Sequence, residues 1–305
     1  MLAAGTVADV DLLSALFGPT AYFFARRTFT HSLLGTLVVI ALAALFTRYL
    51  AKKEIEPLAV LLPPVAIAAA LHVLLDLFQS EGVALLWPLY PARFALDWLP
   101  SLDPWILAIL IAGILIPELF RLVSSEIGAK GKAPRGRNGA IVSFTLIAVY
   151  TGARAILHSG SVASLGPHSY HGESARRTAA FPDALSILTW HGAVETQSWL
   201  CQADVPAGQG KSFDPENADC LHKPEASAEL DAAQKTDVAR KYLQAMPFPR
   251  ATVVKTEDGY EVVLRSMRDL AENEAHHRIA ARILVDSRFG ISGENLVWLS
   301  DIRLR

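Results

Sequence analysis

The chain is poor in charged residues and in cysteine. Only 19% of its 305 residues are charged, whereas 52% are hydrophobic, and its two cysteines are Cys201 and Cys220. This apolar balance is atypical of a soluble protein. The cysteines do not form a Cys-x-x-Cys pair, which argues against a zinc site built from thiolates.

The sequence shows neither a basic block of the kind that binds nucleic acid nor a visible signal-peptide pattern. The formal net charge is −2, and no run of Lys and Arg indicates a nucleic-acid partner. The first ten residues have neither a basic start nor a small-residue cleavage site, so we do not expect a cleaved signal peptide.

Nearly all of the hydrophobic excess precedes Leu157. A helix needs about 20 apolar residues to cross the hydrocarbon core of a bilayer. Four segments approach this length, at residues 33–50, 57–78, 104–123 and 140–157. A fifth apolar segment, residues 3–24, is interrupted by charges and a Gly-Pro pair, and we expect it to be partly inserted and packed on protein. Residues 1–158 are therefore predicted to form a multi-pass α-helical membrane domain.

The second half has the composition of a soluble domain. After a linker at residues 159–172, residues 173–305 predict a small α+β domain with an antiparallel sheet. Ser227 can cap a helix over 225–245, and Glu257-Asp258-Gly259 separates two alternating segments, 251–255 and 260–265, as in a β-hairpin. Segments 277–286 and 295–304 continue the strand pattern. The two cysteines of this half either form a disulfide, if it lies outside the cytoplasm, or stay free.

The distribution of basic residues orients the helices. Lys and Arg are concentrated after the first predicted span and between the third and fourth, which places both loops in the cytoplasm. The loop 79–103 holds one arginine and three aromatic residues suited to an outer interface, Trp87, Tyr90 and Trp98. Arg26 and Arg27 oppose this orientation. On balance the C-terminal half is expected outside, with His31, His72 and Asp76 at the outer membrane boundary.

His72 and Asp76 form the first candidate site. They are four residues apart in a predicted helix, so their side chains share one face. Ionisable residues at membrane depth indicate a functional site, and imidazole with carboxylate suits zinc, manganese or iron. The structural alternative is a buried His-Asp hydrogen bond that holds the helix against its neighbours.

The second candidate site lies before the first span. His31 stands between Thr30 and Ser32, whose hydroxyls could simply cap the helix. Asp9 and Asp11 are two apart, so in an extended segment both carboxylates could reach one ion. The alternative is a helix cap and an exposed interfacial charge.

Other ionisable residues suggest structural roles. Glu118 is close to Arg121, and three histidines in or near the linker are expected on the solvated surface: His168, His171 and His191. His276 and His277 would point to opposite sides of a strand. Ser159 and Ser161 lack the Gly-x-Ser-x-Gly setting of a hydrolase nucleophile.

An ordered set of motifs resembles a known family. Ala8-Asp9-Val10-Asp11 is followed by Arg26-Arg27-Thr28-Phe29-Thr30-His31-Ser32-Leu33-Leu34-Gly35 and by Leu71-His72-Val73-Leu74-Leu75-Asp76. Together with Gly82-Val83-Ala84-Leu85-Leu86-Trp87-Pro88-Leu89, these resemble the YdjM-type inner-membrane metal-dependent hydrolases over the first hundred residues. The C-terminal half resembles the tail of longer members, with lower specificity, at Phe181-Pro182, Trp190 and Phe248-Pro249.

The resemblance implies a bacterial multi-pass membrane protein and a divalent-metal hydrolase, distantly similar to the zinc phospholipase C and P1 nuclease group. It implies zinc or manganese as the cofactor and Asp11, His31, His72 and Asp76 as ligands. Asp9 would be an additional ligand or would orient one, and Asp9, His31, His72 and Asp76 would take part in catalysis. Arg26 occupies a position where the family often has histidine.

The favoured hypothesis is a hydrolase in the bacterial inner membrane that acts at its outer face. A lipid phosphate or another interfacial ester is the expected substrate, and the bilayer is the expected partner. The alternative is a membrane protein without catalysis, in which the His/Asp cluster binds a structural metal or relays protons and the outer domain binds a partner. A third hypothesis is a family member that has lost the metal.

Overall fold

The computed structural model describes residues 7–50, 58–90, 92–126, 136–207, 213–268 and 278–301. Helices occupy the N-terminal half, and antiparallel sheets dominate the C-terminal half. This arrangement confirms the predicted fold class, a helical membrane region followed by an α+β region.

The helical half begins with a 3-10 helix, Val7–Phe17, followed by five α-helices. These are α1 (Pro19–Ala25), α2 (Leu33–Leu50), α3 (Leu58–Leu77), α4 (Pro104–Glu126) and α5 (Arg137–Leu165). Helices α3, α4 and α5 are long and apolar enough to span a membrane, whereas the apolar part of α2 is shorter. Most of their large hydrophobic side chains are exposed. This is expected for helices that make their backbone hydrogen bonds internally and whose side chains contact lipid.

Helix α5 is longer than a membrane requires. The sequence predicted a span at 140–157, but the helix has 29 residues and ends at Leu165, within the segment expected to be a linker. At about 1.5 Å per residue it extends roughly 43 Å, whereas the hydrocarbon core is about 30 Å thick. Its last turns pack on the first sheet, where Leu165 is buried beside Trp190. One continuous helix therefore joins the two halves.

The first sheet follows α5 and a short hairpin of β1 (Ser169–Tyr170) and β2 (Glu173–Ser174). Its strands are β3 (Arg177–Pro182), β4 (Thr189–Glu195), β5 (Trp199–Pro206) and β6 (Asp219–His222), in the order β3-β4-β5-β6. Cys201 and Cys220 pair in register across β5 and β6 and form a disulfide. Of the two states left open by the sequence, the bonded one is found.

The second sheet has the order β10-β9-β8-β7 and is covered by two helices, α6 (Ala228–Gln234) and α7 (Asp237–Ala245). Its strands are β7 (Pro249–Lys255), β8 (Gly259–Ser266), β9 (Ile279–Asp286) and β10 (Ile291–Trp298). The predicted hairpin is confirmed as β7 and β8. Gly259 has a φ of +154°, and a Cβ there would lie 2.1 Å from the Val285 carbonyl oxygen, so the turn requires glycine.

The prediction of one helix over 225–245 was wrong, although its cap at Ser227 is confirmed. Helix α6 ends at Gln234, and the Thr236 hydroxyl accepts a hydrogen bond from the Ala239 amide to begin α7. A threonine that caps a new helix interrupts the old one. The predicted strand at 277–286 begins at Ile279, with His276 and His277 outside the described residues.

Helix α1 connects the helical half to the second sheet. Tyr22 and Phe23 are buried in the same core as the β8 and β9 side chains. The Tyr22 ring lies 5.4 Å from the Trp298 ring, and Phe23 stacks on Tyr242 at 5.9 Å. The segment that leads into the candidate site is therefore anchored in the core of the C-terminal half.

A buried arginine secures the junction between α5 and the first sheet. The Arg154 guanidinium donates hydrogen bonds to the carbonyl oxygens of Trp98, Ser186 and Ile187, at 3.1, 3.1 and 2.9 Å. It also lies 4.3 Å from the Trp190 ring. One side chain thus holds together the loop before α4, helix α5 and the β3–β4 loop.

We expect Arg154→Met to lower the apparent Tm of the detergent-purified protein by roughly 5–10 °C. The substitution leaves buried carbonyl oxygens without donors, at a cost of about 3 kcal/mol. The control is Arg121→Met, which removes an exposed ion pair with Glu118 and should shift the Tm by about 1 °C or less. Equal shifts for both variants would contradict a role of Arg154 in the junction.

Candidate metal centre

Three segments bring the candidate residues together at one end of the helices. The 3-10 helix supplies Asp9 and Asp11, the turn between α1 and α2 supplies His31, and the last turns of α3 supply His72 and Asp76. The extended segment expected for Asp9 and Asp11 is not found, because these residues lie in the 3-10 helix. Their carboxylates nevertheless meet, since both accept hydrogen bonds from Arg26 Nη1 at 3.0 Å.

Three side chains converge closely enough to hold one ion. One ligand atom from each of Asp9, His31 and His72 lies within 4.8 Å of the other two. The Nε2 atoms of His31 and His72 are 3.2 Å apart, and His72 Nε2 is 3.6 Å from Asp9 Oδ2. Asp76 Oδ2 approaches the same two nitrogens, at 2.9 Å from His31 and 3.5 Å from His72.

Asp11 lies on the opposite side of the His31 ring. Its Oδ2 is 3.2 Å from His31 Nδ1 and also accepts hydrogen bonds from the Arg27 amide and the Thr30 hydroxyl. An ionised carboxylate can only accept, so Nδ1 carries the proton and Nε2 is left to face His72 and Asp76. Carboxylates hold metal-binding imidazoles in this tautomer.

The charges around His31 and Asp11 shift the pKa of both residues. Burial alone would raise the pKa of Asp11, but the hydrogen bond from His31 and the charge of Arg26 outweigh burial and lower it to about 2. Burial alone would lower the pKa of His31, but the neighbouring carboxylates of Asp11 and Asp76 raise it above its usual value. The two carboxylates therefore stabilise the charged form of the ring relative to the neutral form.

Two arginines complete the cluster. Arg26 bonds Asp9 and Asp11, and Arg27 forms an ion pair with Asp76 at 3.0 Å. Both reach Glu81, whose Oε2 is 3.3 Å from Arg27 Nε and 3.8 Å from Arg26 Nε. The sequence interpretation used the arginines for orientation and for the family resemblance, but did not predict their ion pairs, and it missed Glu81. The signal was present, because Glu81 is a carboxylate five residues beyond Asp76.

The distances between these side chains can be compared with the geometry that a metal ion requires. Asp76 Oδ2 is buried and forms no hydrogen bond among the described residues, although two imidazole Nε2 atoms approach it. Ligands of a tetrahedral zinc ion at 2.0–2.2 Å are about 3.4 Å apart. The separations of 3.2, 3.5 and 3.6 Å fit that geometry, whereas the 2.9 Å between His31 Nε2 and Asp76 Oδ2 is shorter.

The hydroxyls next to His31 have different roles. Ser32 caps α2, since its Oγ accepts a hydrogen bond from the Gly35 amide at 3.0 Å. Thr30 does not cap the helix through its hydroxyl. Its Oγ1 donates to Asp11 and lies 2.9 Å from His31 Nδ1. The capping alternative therefore accounts for Ser32, whereas Thr30 belongs to the cluster.

The remaining candidates lie elsewhere. Glu118 pairs with Arg121 on an exposed helix surface. The rings of His168 and His171 lie against Phe213 and Trp199. His191 bridges Asp204 and Asp183, at 2.8 and 3.2 Å. Ser159 and Ser161 donate to carbonyl oxygens of their own helix.

A match to a protein family covers the helical half of the chain. No curated protein and no solved structure matches the chain. A family model described as YdjM inner membrane protein matches residues 1–160, which include the whole candidate metal centre. Because the match covers more than half of its 305 residues, this chain belongs to the YdjM inner membrane protein family.

Proposed function

We propose that this chain is a membrane-embedded hydrolase that uses one divalent cation, zinc or manganese. Asp9, His31, His72 and Asp76 would hold the ion. Asp11 would bind the far nitrogen of His31 and so keep Nε2 available. The structural alternative is an ion-pair cluster that holds the three segments together without a metal.

One observation carries the proposal. Two imidazole Nε2 atoms and two carboxylate oxygens point at a common space, while the other nitrogen of His31 faces Asp11. A cluster built only for ion pairing would not require two imidazole Nε2 atoms 3.2 Å apart next to a buried carboxylate oxygen. Two lone pairs at this distance repel each other unless a proton or a cation lies between them.

The cluster has a closed side and an open side. His31 and Asp76 are almost completely buried, whereas the side chains of His72 and Asp9 are 18% and 34% exposed. A substrate would reach the centre past Asp9, the most exposed of these four side chains. When bound, the ion would supply a water with a pKa lowered to about 7 and would polarise the ester.

The surroundings of the open side favour a substrate from the bilayer. The 3-10 helix that carries Asp9 also exposes Leu12, Leu13, Leu16 and Phe17. Leu16 and Phe17 are 81% and 80% exposed, which is costly in water but natural at a membrane surface. We infer that the substrate is a lipid phosphate or another interfacial ester.

The disulfide supports an extracytoplasmic C-terminal half. Such bonds persist in oxidising compartments and are rare in the cytosol. Cys201 and Cys220 are bonded in the first sheet. We propose, in agreement with the distribution of Lys and Arg, that both sheets and the metal centre lie at the outer face of the inner membrane.

The first test is the metal content of the detergent-purified protein. We expect about one equivalent of zinc or manganese in the wild type, measured by elemental analysis, and its loss in His72→Ala and Asp76→Ala. We expect Asp11→Asn to retain the ion with an affinity about 10–100-fold weaker, measured by chelator competition, because it disturbs only the orientation of His31.

The matched control is His191→Ala. His191 also lies between two aspartates, but in the first sheet, so its loss should leave the metal content unchanged. A metal-free wild type, even after reconstitution with zinc or manganese, would assign the cluster to ion pairing and exclude the hydrolase.

The second test is turnover. We expect the metal-loaded protein to hydrolyse a phospholipid presented in mixed micelles at least about tenfold faster, in kcat/KM, than a water-soluble phenyl phosphate, because the exposed apolar surface would hold the lipid. His72→Ala should reduce the rate to background. Full metal occupancy without turnover of either phosphoester would instead indicate a structural ion.

The third test is orientation. Glu257→Cys places a thiol in the exposed β7–β8 turn, and Asn138→Cys places one at the start of α5. We expect a membrane-impermeant maleimide to label position 257 in intact spheroplasts and position 138 only after lysis, because a charged reagent cannot cross the bilayer. The reverse pattern would contradict the proposed orientation.

A further inference from the structure

A cavity lies where the two halves of the chain meet. Its volume is about 330 Å³, and it is bounded by α1, by the loop after α3 and by helix α7. Three aromatic side chains, Phe23, Phe24 and Trp87, form much of its wall. Helix α7 lies beyond the residues matched by the family model, so the cavity combines the family's helical region with a part of the chain outside that match.

The charges that line this cavity are of one sign. Arg93 and Lys241 both line it, and no Asp or Glu does so among the described residues. The Lys241 ammonium lies 5.2 Å from the Phe24 ring, and neither cation forms an ion pair within the described part of the chain. A cavity with apolar walls and unmatched positive charge favours an anion that carries an apolar group.

Arg93 is held rigidly in its place. One of its Nη atoms donates to the carbonyl oxygens of Phe23 and Arg26, both at 3.0 Å. Burial, together with the charges of Arg268 and Arg27, lowers the pKa of Arg93 to about 10 even though Glu81 opposes this change. Burial is the main cause of this shift, and a bound anion would supply a counter-charge on the cavity side of the guanidinium.

The cavity shares one wall with the metal centre. Segment 23–28 lines the cavity through Phe23, Phe24 and Thr28, while the side chain of Arg26 reaches Asp9 and Asp11. The backbone of this segment is fixed on both sides, by Arg93 and by the Ala84 amide, which donates to the Arg27 carbonyl oxygen. A ligand in the cavity would thus lie directly behind the residues that order the centre.

We propose that this cavity binds the phosphate of an anionic amphiphile, with Arg93 and Lys241 as the cations and the aromatic wall against its apolar part. That this amphiphile is also the substrate class of the metal centre rests on the proposed function. Its binding in the cavity does not itself require a metal. The phosphate could belong to a lipid headgroup or to free phosphate, and the experiment below separates these two sources.

The test measures binding to the full-length protein in neutral detergent with a chelator present. Dihexanoyl phosphatidic acid is titrated and followed by calorimetry, and we expect saturable binding at one site. Lys241→Met retains the apolar stem over Phe24 but removes the charge, and it should weaken binding about tenfold. Gln244→Glu adds a negative charge to the cavity with little change in volume and should weaken it at least as much.

The matched control is Lys255→Met, the same substitution at an exposed lysine at the end of β7, which should leave the dissociation constant unchanged. Equal weakening by Lys255→Met would show only general attraction between charges and would overturn the proposal. So would saturable binding of dihexanoylglycerol, which lacks phosphate, with equal affinity, or no binding of the phosphatidic acid at all.

Two further comparisons, with inorganic phosphate and with turnover, complete the experiment. Competition by millimolar inorganic phosphate would support the site with phosphate itself as the recognised group, whereas the lack of competition would support recognition of a lipid headgroup. Because the chelator is present throughout, binding is measured independently of the metal. Binding here, together with no turnover in the separate assay of the metal-loaded protein, would support the cavity and contradict the hydrolase. Turnover without binding at this cavity would do the reverse.

Discussion

The matching of buried charge is the constraint on which the structure of this protein depends most. Asp11 and Asp76 are almost completely buried at the end of the helices, and an unpaired carboxylate there would cost several kcal/mol. His31 lies between them, and Arg26 and Arg27 take up their remaining oxygens. Satisfying these charges joins the 3-10 helix, the turn before α2 and the end of α3. The same requirement that stabilises the fold therefore brings the atoms of the candidate metal centre together.

The two halves of the chain are coupled at this cluster rather than merely joined in sequence. Helix α1 buries Tyr22 and Phe23 in the core of the second sheet, and the residues that follow it bind the aspartates. Helix α5 continues from the helical half into the first sheet, where Arg154 fixes the junction. A rigid connection of this kind lets the C-terminal half contribute Lys241 to a cavity behind the centre. The C-terminal half thereby forms part of the structure around the candidate centre.

The helices and the hairpin could be predicted because their signals are local. Apolar runs identified α3, α4 and α5, and the Glu257-Asp258-Gly259 turn identified β7 and β8. Helix 225–245 was predicted too long, because its apolar stripe continues across a threonine whose hydroxyl ends one helix and begins another. The setting of Asp9 and Asp11 was also misjudged, since spacing by two residues suits a strand but equally occurs in a 3-10 helix. Glu81 was missed because its partners are arginines more than fifty residues away in sequence.

The sequence by itself determined the class of protein, its apolar helices and the ionisable residues that are candidates for a site. Composition and periodicity are properties of short segments, and the energetic cost of charge at membrane depth does not depend on the rest of the fold. Tertiary structure alone decided that Asp11 faces Nδ1 of His31 while Asp9 and Asp76 approach the Nε2 side. It also decided that Arg26 and Arg27 neutralise the cluster, because those contacts depend on how helices distant in sequence pack together, which residue spacing does not encode.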